Sequence, residues 1–143
     1  MFAFHLAFPM RDMTETRHFY TQILGCTVGR EAERWIDFDF FGHQISAHMA
    51  EDEGEVETND VEGVQVPSRH FGLVLDGAAW DALAERCEKA GVRFLVTPRT
   101  RFRGKIGEQR TFFILDPAGN ALEFKHFPDP THVFKRTPEM GPA

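Results

Sequence analysis

One pattern occurs twice in this chain of 143 residues, and it limits the fold more than any other feature. FAFHLAF (2–8) alternates as a strand with one covered face does: Phe2, Phe4, Leu6 and Phe8 take one side, and Ala3, His5 and Ala7 the other. Asp12 stands where it can cap a helix whose apolar stripe is Phe19, Tyr20, Ile23 and Leu24, and Gly25 stops that helix. Residues 34–41 and 43–49 read as two strands joined at Gly42, with room for a short strand near Thr27 to Gly29. The pattern then restarts. In RHFGLVL (69–75), Phe71, Leu73 and Leu75 oppose His70, Gly72 and Val74. Asp76 caps a second helix with Trp80, Leu83, Ala84 and Cys87 on one face, and Gly91 ends it. Strands follow near 92–97, 110–115 and 120–126, the last two turned by Asp-Pro-Ala-Gly-Asn. The chain is therefore expected to be one α+β domain of paired strand-helix-strand units, about 2–50 and 69–127.

The segments outside the repeat differ in character. Residues 51–67 hold seven acidic side chains and no basic one, which predicts a solvated connection or a lid. Residues 99–110 are rich in Arg around two glycines. That composition fits a mobile loop over a binding mouth, able to recruit a carboxylate, or a solvated basic hairpin that balances the acidic linker. Residues 128–143 read as an extended tail suited to wrapping a partner subunit. A net charge of −6 argues against nucleic acid and anionic membrane surfaces, which select clustered Lys and Arg. No apolar run approaches the roughly 18 residues of a membrane span, and the start lacks a leader pattern. The expectation is a cytoplasmic protein with reduced Cys26 and Cys87, acting on a small molecule.

The repeat also changes the meaning of its histidines. His5 and His70 occupy matching places on the first strand of each unit, each the polar member of a face of small residues. Glu123 lies between Leu122 and Phe124, so it faces away from them, alongside Ala121 and Lys125. If each helix covers one face of a curved sheet, the other faces can line a common trough. His5, His70 and Glu123 would then converge there. Two imidazoles and one carboxylate with open positions form the facial triad suited to non-haem Fe(II), and also accept Mn, Zn or Ni.

FHLAFPMRDMTETRHFYTQILG, RHFGLVL and FFILDPAGNALEFKHF, in that order, resemble the vicinal oxygen chelate superfamily, which includes glyoxalase I, extradiol dioxygenases, fosfomycin-resistance transferases and bleomycin-binding proteins. RWIDFDFFGHQISAHM is most similar to small single-module members grouped as predicted extradiol dioxygenases. The resemblance implies paired βαβββ units closing a cup-shaped mixed sheet, helices on its outer face, around a divalent metal held at the positions of His5, His70 and Glu123. It also implies that single modules pair as homodimers.

Within that frame the remaining polar residues take candidate roles. On the fourth strand Gln44, Ser46 and His48 share a face, and this polar set is the expected cavity wall. His48 is a fourth ligand, an acid/base or a rim histidine bonded to the acidic linker. The metal-binding Glu that glyoxalases carry on this strand is missing. The acid/base histidine of extradiol enzymes falls at His43 or Gln44, and His43 keeps the role if Gly42 bends it inward. Phe113 stands where those enzymes have a tyrosine and brings no hydroxyl. Gln109, Thr111 and Phe113 share a face, and Lys125 lies one step beyond Glu123. All four are candidates for substrate contact. The first expectation is a metal-dependent, dioxygenase-like enzyme acting on a vicinal diol or similar chelate. The alternatives are a metal-independent ligand-binding protein and a glyoxalase-type lyase or isomerase.

Overall fold

The computed structural model describes residues 1–51 and 55–136. The sequence repeat is a structural repeat. Strands β1 (His5–Met10), β2 (Thr27–Ala32), β3 (Trp35–Phe40) and β4 (His43–Met49) form a mixed sheet in the order β1-β4-β3-β2. The second unit contributes β7 (His70–Val74), β8 (Phe94–Arg101), β9 (Gln109–Leu115) and β10 (Ala121–His126), in the order β7-β10-β9-β8. In each, the outer pair is parallel and the rest antiparallel, so the two sheets share one topology. The α+β class and the paired βαβββ organisation are both present.

The first helix departs from a plain α-helix. Asp12 caps α1 (Met13–His18), its Oδ1 accepting the Glu15 N–H at 2.8 Å. The coil then widens to a π-helical turn over Phe19–Ile23, closed by Leu24 N–H donating to the Phe19 carbonyl at 3.1 Å. Gly25 leaves the helix at φ +81°, a conformation that side chains with a Cβ resist. In the second unit α2 (Gly77–Lys89) is capped by Asp76 and buries Trp80, Leu83, Ala84 and Cys87, the face its spacing predicts. Phe2 and Phe4, expected on the covered side, are instead exposed, because β1 begins only at His5.

The acidic linker corrects its expected character. Within it β5 (Thr58–Val61) and β6 (Val64–Pro67) form a hairpin turned at Glu62 and Gly63, both at positive φ. Val66 is buried against Val96 and Phe113, and the Glu62 carboxylate reaches Arg99 at 2.9 Å and Arg101 at 3.2 Å. The arginine-rich segment is thus partly strand β8, with Arg99 and Arg101 tied to the linker and Arg110 to Asp81 on α2. Of the tail, Pro130–Val133 forms a 3₁₀ turn; residues 137–143, like 52–54 of the linker, lie outside the described residues.

Both helices and both sheets feed one core. The Phe40 ring lies 5.9 Å from Phe71 and 6.3 Å from Phe124, although Phe40 belongs to the first sheet and the others to the second. Phe8 and Phe71 are 5.3 Å apart, and Tyr20 stacks on Phe38. The apolar faces of the two sheets therefore meet, and their polar faces lie on the far sides of that contact. A buried polar clasp joins the same units. The Tyr20 hydroxyl donates to Asp116 at 2.9 Å, while the Asn120 side-chain amide donates to Asp116 and to the Pro9 carbonyl, both at 2.8 Å.

Candidate metal and substrate site

Strand pairing places the functional side chains. Glu123 pairs with Phe113 on β9 and with Gly72 on β7, while Ala121 pairs with His70. Leu122 and Phe124 enter the core, and Glu123 turns to the polar face, where it is 7 % exposed. A carboxylate is costly to bury unless its oxygens are partnered. Here they are. Thr111 Oγ1 donates to Oε1 at 2.8 Å, Lys125 Nζ lies 3.7 Å from the same oxygen, and His70 Nε2 lies 3.3 Å from Oε2. Burial alone would raise the Glu123 pKa. His70, Lys125 and Thr111 together outweigh it and hold the carboxyl below its usual range.

His70 is oriented from behind. Its Nδ1 lies 3.0 Å from the Pro67 carbonyl, which can only accept, so Nδ1 carries the proton and Nε2 points at the carboxylate. The bond with Glu123 raises the His70 pKa above its ordinary value, against an opposing effect of burial. An imidazole fixed through Nδ1–H to a backbone carbonyl, with Nε2 presented, is the usual posture of a metal-ligating histidine. Two ligand atoms each about 2.1 Å from one ion and at right angles stand about 3 Å apart. Nε2 and Oε2 meet that condition, so the pair fits a divalent metal. Gly72 makes the approach of the two strands possible: a Cβ there would sit 1.7 Å from the Glu123 carbonyl oxygen.

His5 occupies the matching place in the first sheet, paired with Gln44 as His70 is with Ala121. It is exposed and does not join His70 and Glu123; among the described residues no three His, Cys, Asp or Glu side chains gather as a metal site. The separation follows from the core, which turns the two polar faces away from each other.

The other candidates fall into three groups. Thr111 is fully buried and serves Glu123, and Phe113 packs its ring 5.3 Å from His70 under the Val66 hairpin. Gln109 is buried with its side-chain carbonyl oxygen unpartnered among the described residues. Lys125 flanks Glu123. In the first sheet Gln44 and Ser46 do not stand free: both donate to Asp37, a residue whose role the sequence reading missed. His48 is exposed on the polar face, paired with Trp35. His43 pairs with Phe40 and accepts the Phe4 N–H on Nδ1 at 3.1 Å, which places it at the hairpin end, outside the row of Gln44 and Ser46. Tyr20 is wholly buried and bonded to Asp116, so the one tyrosine of the chain lies in the core.

Known proteins share this fold. The sequence model of the family described as Glyoxalase/Bleomycin resistance protein/Dioxygenase superfamily matches residues 3–124. A glyoxalase/bleomycin resistance protein/dioxygenase from Alicyclobacillus acidocaldarius is 34 % identical and superposes with a TM-score of 0.77, covering 92 % of this chain and 96 % of its own. The fosfomycin resistance protein FosX from Mesorhizobium loti shares the fold at 18 % identity, TM-score 0.64, with 89 % and 92 % of the two chains covered. FosX from Listeria monocytogenes, solved in complex with Mn(II) and sulfate, does so at 18 % identity, TM-score 0.66, with 85 % and 86 % covered. With a duplicated βαβββ unit, matched first-strand histidines and a carboxylate on the last strand, the chain belongs to the glyoxalase/bleomycin resistance protein/dioxygenase superfamily.

Proposed function

We propose that this protein is a metal-dependent enzyme of the dioxygenase type, an oxidoreductase acting on a small vicinal diol or comparable chelating substrate. The observation that carries the reading is the oriented pair His70 Nε2 and Glu123 Oε2, 3.3 Å apart, each fixed by a further hydrogen bond. His70 and Glu123, with His5, would hold the ion, Fe(II) first and Mn, Zn or Ni as alternatives. A bound divalent ion would polarise two substrate oxygens and, if redox-active, pass electron density to O₂. The chain's own residues do the rest. Thr111 and Lys125 keep Glu123 ionised, Phe113 and the Val66 hairpin exclude water, and Gln109 offers an acceptor on the same face. His48, exposed on the first polar face, would relay a proton there.

Because His5 stands apart from the pair within one chain, the site is completed by a second copy. Exposed Phe4, whose backbone bonds the start of β4, and exposed Phe41 in the β3–β4 turn offer apolar surface for that pairing. A glyoxalase-type lyase or isomerase is the second reading, favoured by the buried carboxylate of Asp37 on the first polar face. The deciding measurement is the metal content of protein purified without a metal-binding tag. Near-stoichiometric iron or manganese in the wild type, lost in both His70→Ala and Glu123→Ala, is the expected result. No metal in the wild type, and no uptake of Fe(II) under anaerobic conditions, would leave a metal-independent ligand-binding protein instead.

A further inference from the structure

The two sheets can be laid over each other by their pairing. His5 pairs with Gln44 as His70 pairs with Ala121, so two residues further along Ser46 corresponds to Glu123. Across to the next strand, Asp37 pairs with Ser46 as Phe113 pairs with Glu123. Each polar face thus carries a buried carboxylate with a hydroxyl bonded to it, but that carboxylate comes from different strands. In the second sheet it is Glu123 on β10, bonded from Thr111 on β9. In the first it is Asp37 on β3, with Ser46 Oγ on β4 donating at 2.5 Å.

Asp37 is not a surface acid. Its side chain is 9 % exposed, Gln44 Nε2 donates to its second oxygen at 3.3 Å, and the largely exposed Arg30 guanidinium lies 3.7 Å from that oxygen. It also lines a cleft of about 300 Å³ with Gly29, Arg30, Asp39, His43 and Gln44. Gly29, in the β2 irregularity, keeps the floor of the cleft low: a Cβ there would lie 3.4 Å from Asp37 Cβ. The other charged or titratable groups on its face are Arg30 on β2, Asp39 on β3, His48 on β4 and His5 on β1. Neither Ser46 nor Gln44 can neutralise the carboxylate, since both are uncharged donors.

We propose that Asp37 is the proton acceptor of this enzyme, a catalytic carboxylate that takes the proton of a substrate hydroxyl seated in the cleft. In the step, the substrate O–H bond breaks, its electron pair stays on the oxygen, and a new O–H bond forms on Asp37; Ser46 keeps its donor on the carboxylate throughout. The proton later returns to product or water, so no further reactant is needed. Substrates are thereby limited to those with an acidic hydroxyl, such as catechols and enediols. The inference rests on the proposed function, in which a second copy sets the first polar face of one chain against the His70 and Glu123 pair of the other.

The test uses the intact protein loaded with Zn(II), which blocks oxygen chemistry, and 4-nitrocatechol, whose visible spectrum reports its ionisation. At pH 6, wild type is expected to bind the probe in its fully ionised form. Asp37→Asn, with unchanged zinc content and melting temperature, is expected to bind it at least tenfold more weakly, with the second hydroxyl still protonated. Asp39→Asn, in the same cleft, should behave as wild type, and Asp37→Ser replaces the amide variant if that fails to fold. If the Asp37 variants bind the fully ionised probe as wild type does, the inference is overturned while the metal site stands. Wild type that retains no zinc sinks the metal-centre reading and this inference together.

Discussion

At the scale of single residues, close approach decides more than chemistry does. Gly72 is the clearest case, since any Cβ would collide with the backbone that carries Glu123. Gly72→Ala is expected to destabilise the protein by about 1–3 kcal/mol and to separate His70 from Glu123, read as a lower melting temperature together with weakened Zn(II) binding. The two cysteines make the opposite point. Burial pushes the Cys26 thiol up to about 12 and the Cys87 thiol to about 11, so almost none of either is thiolate at pH 8. Both should stay unmodified by iodoacetamide at that pH until denaturant is added; fast labelling of the folded protein would contradict the packing. Glu123 was legible in the sequence because two large apolar neighbours fix which way it faces. Asp37 was not. IDFDF shows two faces, but the residue that meets Asp37 is Ser46, and no property of one strand announces its partner on the next.

Elements show where charge misleads. Acidic residues dominate 51–67, and they hide Val61, Val64 and Val66, whose spacing across a two-residue turn is that of a hairpin. The hairpin is held at its tip by Glu62, whose hydrogen bonds from Arg99 and Arg101 draw its carboxyl below the ordinary value. A depressed carboxyl gives stability that is present above its unfolded pKa and lost as the pH falls through the folded one. Amide protection across 58–67, corrected for intrinsic exchange, should therefore hold from neutral pH down to the normal carboxylate range and fall only below it. Glu62→Gln should show the low protection at every pH. A uniform profile in both proteins would mean that Val66 alone holds the hairpin. The π-helical turn was equally hidden, because one widened hydrogen-bond ring leaves the spacing of Phe19, Tyr20 and Ile23 almost unchanged.

For the whole molecule, the repeat was readable from alternation and turn residues, whereas the way its two copies pack was not. Alternation names the apolar faces without saying what they meet. They meet each other, and this puts His5 on one polar face and His70 with Glu123 on another. If two chains share each site, mixing His5→Ala with Glu123→Ala, each unable to hold metal, should restore binding in the hybrid, which contains one intact set of ligands. No recovery on mixing would argue for a site within one chain. The Tyr20–Asp116 clasp spans the same junction. Tyr20→Phe removes one of the two side-chain hydrogen bonds that the buried Asp116 Oδ2 accepts, leaving the one from Asn120, and is expected to cost about 1–3 kcal/mol, while thermal unfolding stays a single transition.

The common core also bears on how such a gene can change. Its pattern is written twice, yet neither half is a portable unit: a product that stops before His70 keeps Phe8 and Phe40 but loses the Phe71 and Phe124 rings against which they rest. Nonsense mutations in the second half should therefore yield aggregating fragments, not small working proteins, and the duplication is inherited as one indivisible piece.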